Sequence, residues 1–323
     1  MLGYLAGLIP LHKVSQRLVE KGAELAAGFA SPRAELDFRR IAATRHRNIA
    51  NWDQSISELD AMMALARKSG DEFSLMFGLM SRLSVALRMQ DESVFHAVGP
   101  ELSRRAQRSQ SDQFRRSYPL FQGIMALHRG DFEVARRFLS EAEGYLQKSQ
   151  DLVGKILVGG PTALCLLRLG DKDAALRRAL ELLALVEPVR FPGEIVGEGL
   201  FAMTEVFLSL WEAGPLPLEE RRELAGPLRR TLSVLRRCAM VFPPNVPRAL
   251  LYYGRHAWNH GAQRLALRLA EVSLHRAQRL HMPLDESLAR MWLGRFAETP
   301  PAAAPGLAGE LRSILRFLAG SLG

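Results

Sequence analysis

Apolar and polar positions along this chain fall into short blocks with helical spacing. Residues 126–151, ALHRGDFEVARRFLSEAEGYLQKSQD, show one block. A Gly-Asp turn is followed by Val134, Phe138, Leu139, Ala142, Tyr145 and Leu146, and a second polar stop comes at Asp151. Apolar residues recurring every three or four positions share one face of a helix and leave the other face polar. The stops themselves recur. Asp91, Asp131 and Asp171 are 40 residues apart, and Asp71, Asp112 and Asp151 are interleaved with them at spacings of 41 and 39. Two interleaved series with one period predict two helices per repeat, and the quoted stretch is the second helix of one unit.

The turn chemistry agrees with this pattern. An Asp at the N-cap accepts the orphan amide hydrogens of the first turn and suits the helix dipole. Gly70, Gly130 and Gly170 each precede such an Asp, where a residue without Cβ ends the previous helix at no steric cost. ANWDQS, around Asn51–Asp53, is a variant of the same turn. Beyond Arg190 the period loosens, but turns are still expected at Ala213-Gly214-Pro215, Phe242-Pro243-Pro244, His260-Gly261 and Met282-Pro283. Residues 262–281 repeat the second-helix pattern. Residues 299–306, TPPAAAPG, read as a linker because their prolines and glycine break helices, and 307–323 as a terminal capping helix.

Two segments carry a family resemblance. GDFEVARRFLSEA, from Gly130, resembles the second half of a tetratricopeptide repeat, with Ala135 and Ala142 where small residues let helices approach. LGDKDAALRRALEL, from Leu169, is similar, with Ala175 and Ala179. The period of 40 exceeds the roughly 34 residues of that repeat, so these are longer-helix units. HRAQRLHMPLDESLARMWLGRF (275–296) and the opening LGYLAGLIPLHKVSQRLVEKGAEL resemble the helical-repeat tail of large bacterial signalling proteins. In those proteins such repeats follow a predicted ATPase, a Ser/Thr kinase or an adenylate-cyclase module. The resemblance implies an all-α, right-handed superhelical solenoid of antiparallel helix pairs over residues 1–298. It also implies that the first helix of each pair lines a concave surface. Those helices are expected near 33–50, 73–89, 113–129, 153–169, 195–212, 247–260 and 285–296.

Composition fits a packed repeat protein. With 323 residues the chain exceeds what one core usually serves, which calls for two domains or an elongated array. The content is 48% hydrophobic and 7% aromatic, and the Leu, Ala, Arg and Glu that dominate lose little rotamer freedom in helices. Net charge is +9. Lys13, Lys21, Lys68, Lys148, Lys155 and Lys172 are the six lysines among 43 basic residues, so 43 − 6 = 37 are arginines. Such a chain could meet nucleic acid, an acidic partner or an anionic membrane surface, or simply carry a solvated basic face. Cys165 and Cys238 stand far apart in apolar helical contexts, without metal spacing or a disulfide framework, and suit a reducing cytoplasm. The apolar opening has no preceding basic segment and is interrupted by Pro10, so it does not read as a signal peptide, and no later run is long enough to span a membrane.

Candidate chemistry is sparse. There is no GxxxxGK[ST] phosphate loop, no kinase signature and no nucleophile–base–acid set, so neither catalysis nor a cofactor is expected. His256 and His260 lie four apart on a helix, but neither an HExxH arrangement nor a third ligand accompanies them. LRRTLSVLRR, 228–237, places Arg229, Arg230, Arg236 and Arg237 on one face, opposite Leu228, Leu232 and Leu235. That face offers phosphate or acidic-peptide contacts, with no interleaved aromatics to stack on bases. Arg104, Arg105, Arg108, Arg115 and Arg116 gather around another turn. GEIVGEG, 193–199, lacks the strand and helix of a dinucleotide loop; Gly159 and Gly160 serve close helix packing, with Pro161 kinking the helix. Met62, Met63, Met76 and Met80 fill the core. Arg88, His128 and Arg168 each stand three residues before the Asp of a repeat's central turn and are candidates to contact a partner.

The function expected from these features is a non-catalytic, cytoplasmic interaction scaffold in bacterial signalling, holding a peptide or partner helix in the groove. A basic solenoid binding nucleic acid is the alternative. A further one is the detached sensory or autoregulatory tail of a signalling ATPase or kinase, which a Met1 start inside a repeat-like helix would fit.

Overall fold

In a computed structural model the described residues are 31–147, 149–189, 193–214 and 218–298, with isolated positions between 16 and 24. The linker and capping helix expected over 299–323 lie outside them, as do Pro215 and most of the opening segment. Among the described residues the fold is all-α, without a strand.

The first eight helices keep a strict period. First helices α1 (Pro32–Asn48), α3 (Glu72–Met89), α5 (Asp112–Arg129) and α7 (Leu152–Arg168) start 40 residues apart. Second helices α2 (Trp52–Ser69), α4 (Glu92–Arg108), α6 (Phe132–Gly144) and α8 (Lys172–Val186) also start 40 apart. The variant turn at Asn51 is therefore in register with the others. Then come α9 (Gly197–Glu212), α10 (Leu218–Val241), α11 (Val246–Asn259), α12 (Gln263–Arg279) and α13 (Pro283–Glu298). The loosened period has a visible cause: single 3-10 turns at Glu194–Val196 and Pro243–Asn245 precede α9 and α11, and α10 runs to 24 residues.

The capping chemistry is largely as expected. The carboxylates of Asp71, Asp91, Asp151 and Asp171 accept from the backbone amides of Ser74, Ser93, Gly154 and Ala174. Asp112 differs: it is the first residue of α5, and the carbonyl of Ser111 accepts from Phe114 and Arg115. A hydroxyl-bearing residue sits at the cap and the carboxylate moves into the first turn, where the helix dipole still favours it. Gly70, Gly130 and Gly170 all have left-handed backbones, at φ 71, 85 and 95. In the corresponding turn Gln90 adopts φ 54, and its Nε2 donates to the Leu87 carbonyl at 2.6 Å. The helix α6 stops at Gly144, so Tyr145 and Leu146 lie in the turn beyond it, although Leu146 remains buried.

The chain divides into two compact units. One takes the residues up to Arg129 together with Arg137–Gln150, and the other takes Gly130–Arg136 and the chain from Asp151 onward. In the first, α1 packs on α2, α3 on α4, and α1, α3 and α5 on one another in succession. Its core contains Leu59, Met62, Leu79, Leu83 and Leu102, all but excluded from solvent, and Met63, Met76 and Met80 join them there. In the second unit α7 packs on α8, α11 on α12, and α7, α9, α11 and α13 form the succession. Here α7 and α9 come unusually close. A Cβ added at Gly160 would sit 2.1 Å from the Gly199 carbonyl oxygen, and one at Gly199 would sit 2.2 Å from that of Ile156. Gly159 makes room for Leu182 of α8 in the same way, at 2.7 Å. The glycines of GEIVGEG and LVGGPTALC thus include a matched pair for backbone-to-backbone packing.

Candidate interaction site on the first helices

Buried polar side chains are not spread evenly over the two helices of each pair. Nearly all belong to first helices or to the 3-10 turns leading into them: Arg45 and Asn48 on α1, Arg88 on α3, Arg116 on α5, Glu198 on α9, Arg248, Arg255 and His256 on α11, and Asp285 on α13. Among the described residues the exceptions on second helices are Ser55, Thr231 and Ser273. Two of these are struts between the helices of one pair: Ser55 Oγ donates to the Ala43 carbonyl at 2.9 Å, and Ser273 Oγ to that of Pro247 at 2.7 Å. Second helices therefore supply apolar packing, and first helices carry the chemistry.

In the second unit that chemistry forms one connected network. Glu198, Glu205 and Glu212 are seven residues apart on α9, two turns each, so they share a face. Arg248, Tyr252, Arg255 and Asn259 follow 4, 3 and 4 residues apart on α11 and share another. The Arg255 side chain, only 2% exposed, is held between two carboxylates. It meets Glu212 through Nη2 at 2.7 Å and Nε at 3.2 Å, and Glu205 through Nη1. Its guanidinium also lies 4.3 Å from the centre of the Trp292 ring and 5.5 Å from that of Tyr252. Asn259 Nδ2 donates to Glu212 at 3.1 Å. Deeper in, Arg248 pairs with Asp285 through Nε at 2.7 Å and lies over Phe201 at 4.9 Å. Burial alone would lower the pKa of either guanidinium, but the facing carboxylates outweigh it and raise both pKa values. Burial likewise pushes the Glu205 carboxyl upward, yet Arg255 prevails and holds it below the usual carboxylate range.

The network reaches solvent at its rim. Arg168, at the end of α7, bonds Glu205 at 3.3 Å with its side chain 41% exposed. Glu205 therefore has two guanidinium partners, one enclosed and one accessible, and also accepts from Ser209 at 3.0 Å. The expected contact residue Arg168 is thus the open edge of a built electrostatic cluster. In the first unit, Arg88 is buried, and His128 is half-buried with its Nδ1 3.1 Å from Gln90 Nε2.

The other candidate residues have local partners. On α10, Leu228, Leu232 and Leu235 are buried, while Arg229 and Arg230 are exposed and Arg236 and Arg237 half-buried. Arg230 approaches the Glu187 carboxylate at 3.6 Å, Arg237 donates to the Glu187 carbonyl at 3.2 Å, and Arg229 reaches the Ala225 carbonyl at 3.3 Å. Arg105 is shared between Glu72 and Glu101 at 2.6 and 3.0 Å, and Arg115 lies 3.9 Å from Asp112. Much of the arginine excess is spent on internal pairs of this kind. His260 turns Nδ1 toward the His256 carbonyl at 2.9 Å and stacks on Trp211 at 5.7 Å, and the two histidine rings lie 4.4 Å apart. No group of three or more His, Cys, Asp or Glu suited to a metal occurs among the described residues. Cys165 and Cys238 are both buried and outside any disulfide, and burial pushes the Cys165 thiol up to about 11.

The α9–α11 network is not among the candidates that the sequence singles out. Its signal is present, as carboxylates and arginines at heptad spacing in consecutive first helices, but which faces meet depends on the tertiary approach.

No protein-family model matches this chain, and no curated protein matches it. Among solved structures the chain is similar to a Rap protein crystallised in complex with competence and sporulation factor. The TM-score is 0.56 at 13% identity, over 91% of this chain and 82% of that one. At that identity the likeness concerns the fold: this chain is an all-α helical-repeat protein built of antiparallel pairs.

Proposed function

We propose that the chain is a non-catalytic interaction scaffold which holds an extended peptide or a partner helix against its first helices. The observation that carries this reading is the segregation of polar side chains onto those helices, with Arg168 and the rims of Glu205 and Glu212 open to solvent above an enclosed Arg255. A network held by enclosed ion pairs presents such groups at fixed positions, so a ligand meets them without ordering them first. The similarity to a Rap protein complexed with a partner factor supports binding as the mode of action. The setting that goes with this reading is a cytoplasmic regulator in bacterial signalling, whether free-standing or the tail of an ATPase or kinase. No helix among the described residues is long and apolar enough to cross a membrane.

The test is capture of partners by the tagged chain at two salt concentrations, with and without nuclease, followed by affinity measurement on the partner identified. Replacing Arg88, His128 and Arg168 together by Ala is expected to weaken that affinity about tenfold or more, the scale of lost charged hydrogen bonds. Unchanged affinity would remove these residues from the site. Nucleic acid captured at low salt and lost at high salt, with no stable protein partner, would replace the scaffold with a basic solenoid acting through Arg229, Arg230, Arg236 and Arg237.

A further inference from the structure

The last turns of α1 read TRHRN, residues 44–48. By the 40-residue period, Arg45 stands where Val85, Met125 and Cys165 stand in α3, α5 and α7, and all three of those are buried. Packing in this fold calls for an apolar or thiol side chain at that position. Arg45 is nevertheless enclosed, at 8% exposed, and its Nε is buried without a hydrogen-bond partner among the described residues. One turn on, Asn48 is 5% exposed, and its Oδ1 is buried and unmatched in the same way, as is Nδ1 of the intervening His46. Arg45 and Asn48 are three residues apart, so their side chains leave the helix on one side.

Among the described residues no carboxylate forms an ion pair with this arginine. Burial lowers the pKa of the Arg45 guanidinium, with Glu20 acting against it from beyond ion-pair distance. His46 is lowered by burial and by the charge of Arg45, while Glu58 acts in the other direction; Glu58 is itself paired with Arg39 at 3.0 Å. Basic residues in a last turn complement the helix dipole, which accounts for arginine and histidine at this end of α1. The dipole does not account for a guanidinium withdrawn from water with an N–H left unmade, an arrangement proteins normally avoid.

We propose that Arg45, with Asn48 beside it, is a binding site for a single oxyanion, the phosphate or carboxylate group of a small ligand. A guanidinium matches either group with paired N–H donors, and the Asn48 amide can turn its Nδ2 toward the same oxygen atoms. The site involves none of Arg88, His128 and Arg168, so it stands or falls separately from the scaffold reading.

Calorimetric titration of the full chain at constant ionic strength tests it, with inorganic phosphate in one arm and acetate in the other. Saturable phosphate binding with acetate silent assigns a phosphate-bearing ligand, and acetate binding assigns a carboxylate. In either case Arg45→Met is expected to weaken binding about tenfold or more, the loss of a charge-assisted pair, and Asn48→Ala to weaken it less. Because apolar residues fill this position in two of the next three repeats, Arg45→Met should be at least as heat-stable as the parent chain without added anion. Absence of binding in both arms overturns the proposal, as does binding that Arg45→Met leaves intact. So does a Glu20→Gln variant that loses heat stability while the parent shows no anion response, since Glu20 would then be the partner of Arg45.

Discussion

The close approach of α7 and α9 makes a sharp prediction from a single methyl group. In Gly199→Ala the new Cβ would lie 2.2 Å from the Ile156 carbonyl oxygen, 2.8 Å from its carbonyl carbon and 3.1 Å from its Cγ2. Two of these atoms are backbone, so no rotamer change relieves the clash and the helices themselves must separate. Overpacking of a well-filled interior typically costs about 1–3 kcal/mol, and a backbone clash belongs at or above the upper end. The gain in helix propensity on replacing glycine by alanine returns about 1 kcal/mol, leaving a net loss of about 2 kcal/mol or more. Gly294 in α13 is the control, since an added Cβ there meets nothing within 4 Å, and Gly294→Ala should gain up to about 1 kcal/mol. Both sites lie in the second unit, as do Trp211, Trp258 and Trp292, so tryptophan fluorescence during urea unfolding reports mainly on that unit. In thermal melts the two variants should diverge in opposite directions, at about 2–4 °C per kcal/mol for a unit of this size. If Gly199→Ala proved as stable as Gly294→Ala, the helices would not pack backbone to backbone.

Further predictions concern charge and capping. Arg255→Met leaves Glu205 and Glu212 facing one another without their enclosed cation, and should cost about 3–5 kcal/mol by urea unfolding; adding Glu205→Gln and Glu212→Gln should recover much of it, and no recovery would mean that packing dominates. The folded-state pKa of Glu205 is depressed, so its stabilisation is present above the ordinary carboxylate range and lost as pH falls through the lower, folded value. Glu205→Gln should therefore flatten the acid limb of the stability profile, and an unaltered limb would show that this carboxylate is not coupled to Arg255. Asp71→Ala removes the acceptor of the Ser74 amide and an ion pair with Arg33 at 2.9 Å, and should cost about 1 kcal/mol, the worth of an N-cap. With its thiol pushed to about 11 and buried, Cys165 should resist alkylation at neutral pH until the protein unfolds; rapid labelling of the native chain would contradict its burial.

The repeat is legible because it is written in local chemistry. Asp at the helix start and Gly in the left-handed turn are demanded by the backbone whatever surrounds it, and both recur at a fixed interval. The 40-residue period can accordingly be counted along the chain itself, and the expected first helices fall within a few residues of those observed. Where another residue does the same work, the count blurs. Ser111 takes the cap and displaces Asp112 into the helix, while Gln90, Ala50 and His281 adopt φ 54, 60 and 51 without being glycine. Pro161 lies inside a helix that continues to Arg168.

The site is only half legible, for a reason that also bears on what the charge is for. An arginine count says nothing about which carboxylate each one meets. Arg33 reaches Asp71, Arg67 reaches Glu101, Arg168 reaches Glu205 and Arg248 reaches Asp285, each pair joining helices 34–38 residues apart in sequence. The partners lie a little less than one repeat length apart, so the pairs tie successive repeats together, and these arginines are internal mortar. Exposed pairs of this kind are worth little, about 0–1 kcal/mol each, whereas the Arg248–Asp285 pair joining α11 to α13 is enclosed. Sharing alone marks no position, since Glu101 is shared by Arg67 and Arg105 just as Glu205 is shared by Arg168 and Arg255, whereas the Nε of the enclosed Arg45 has no hydrogen-bond partner among the described residues.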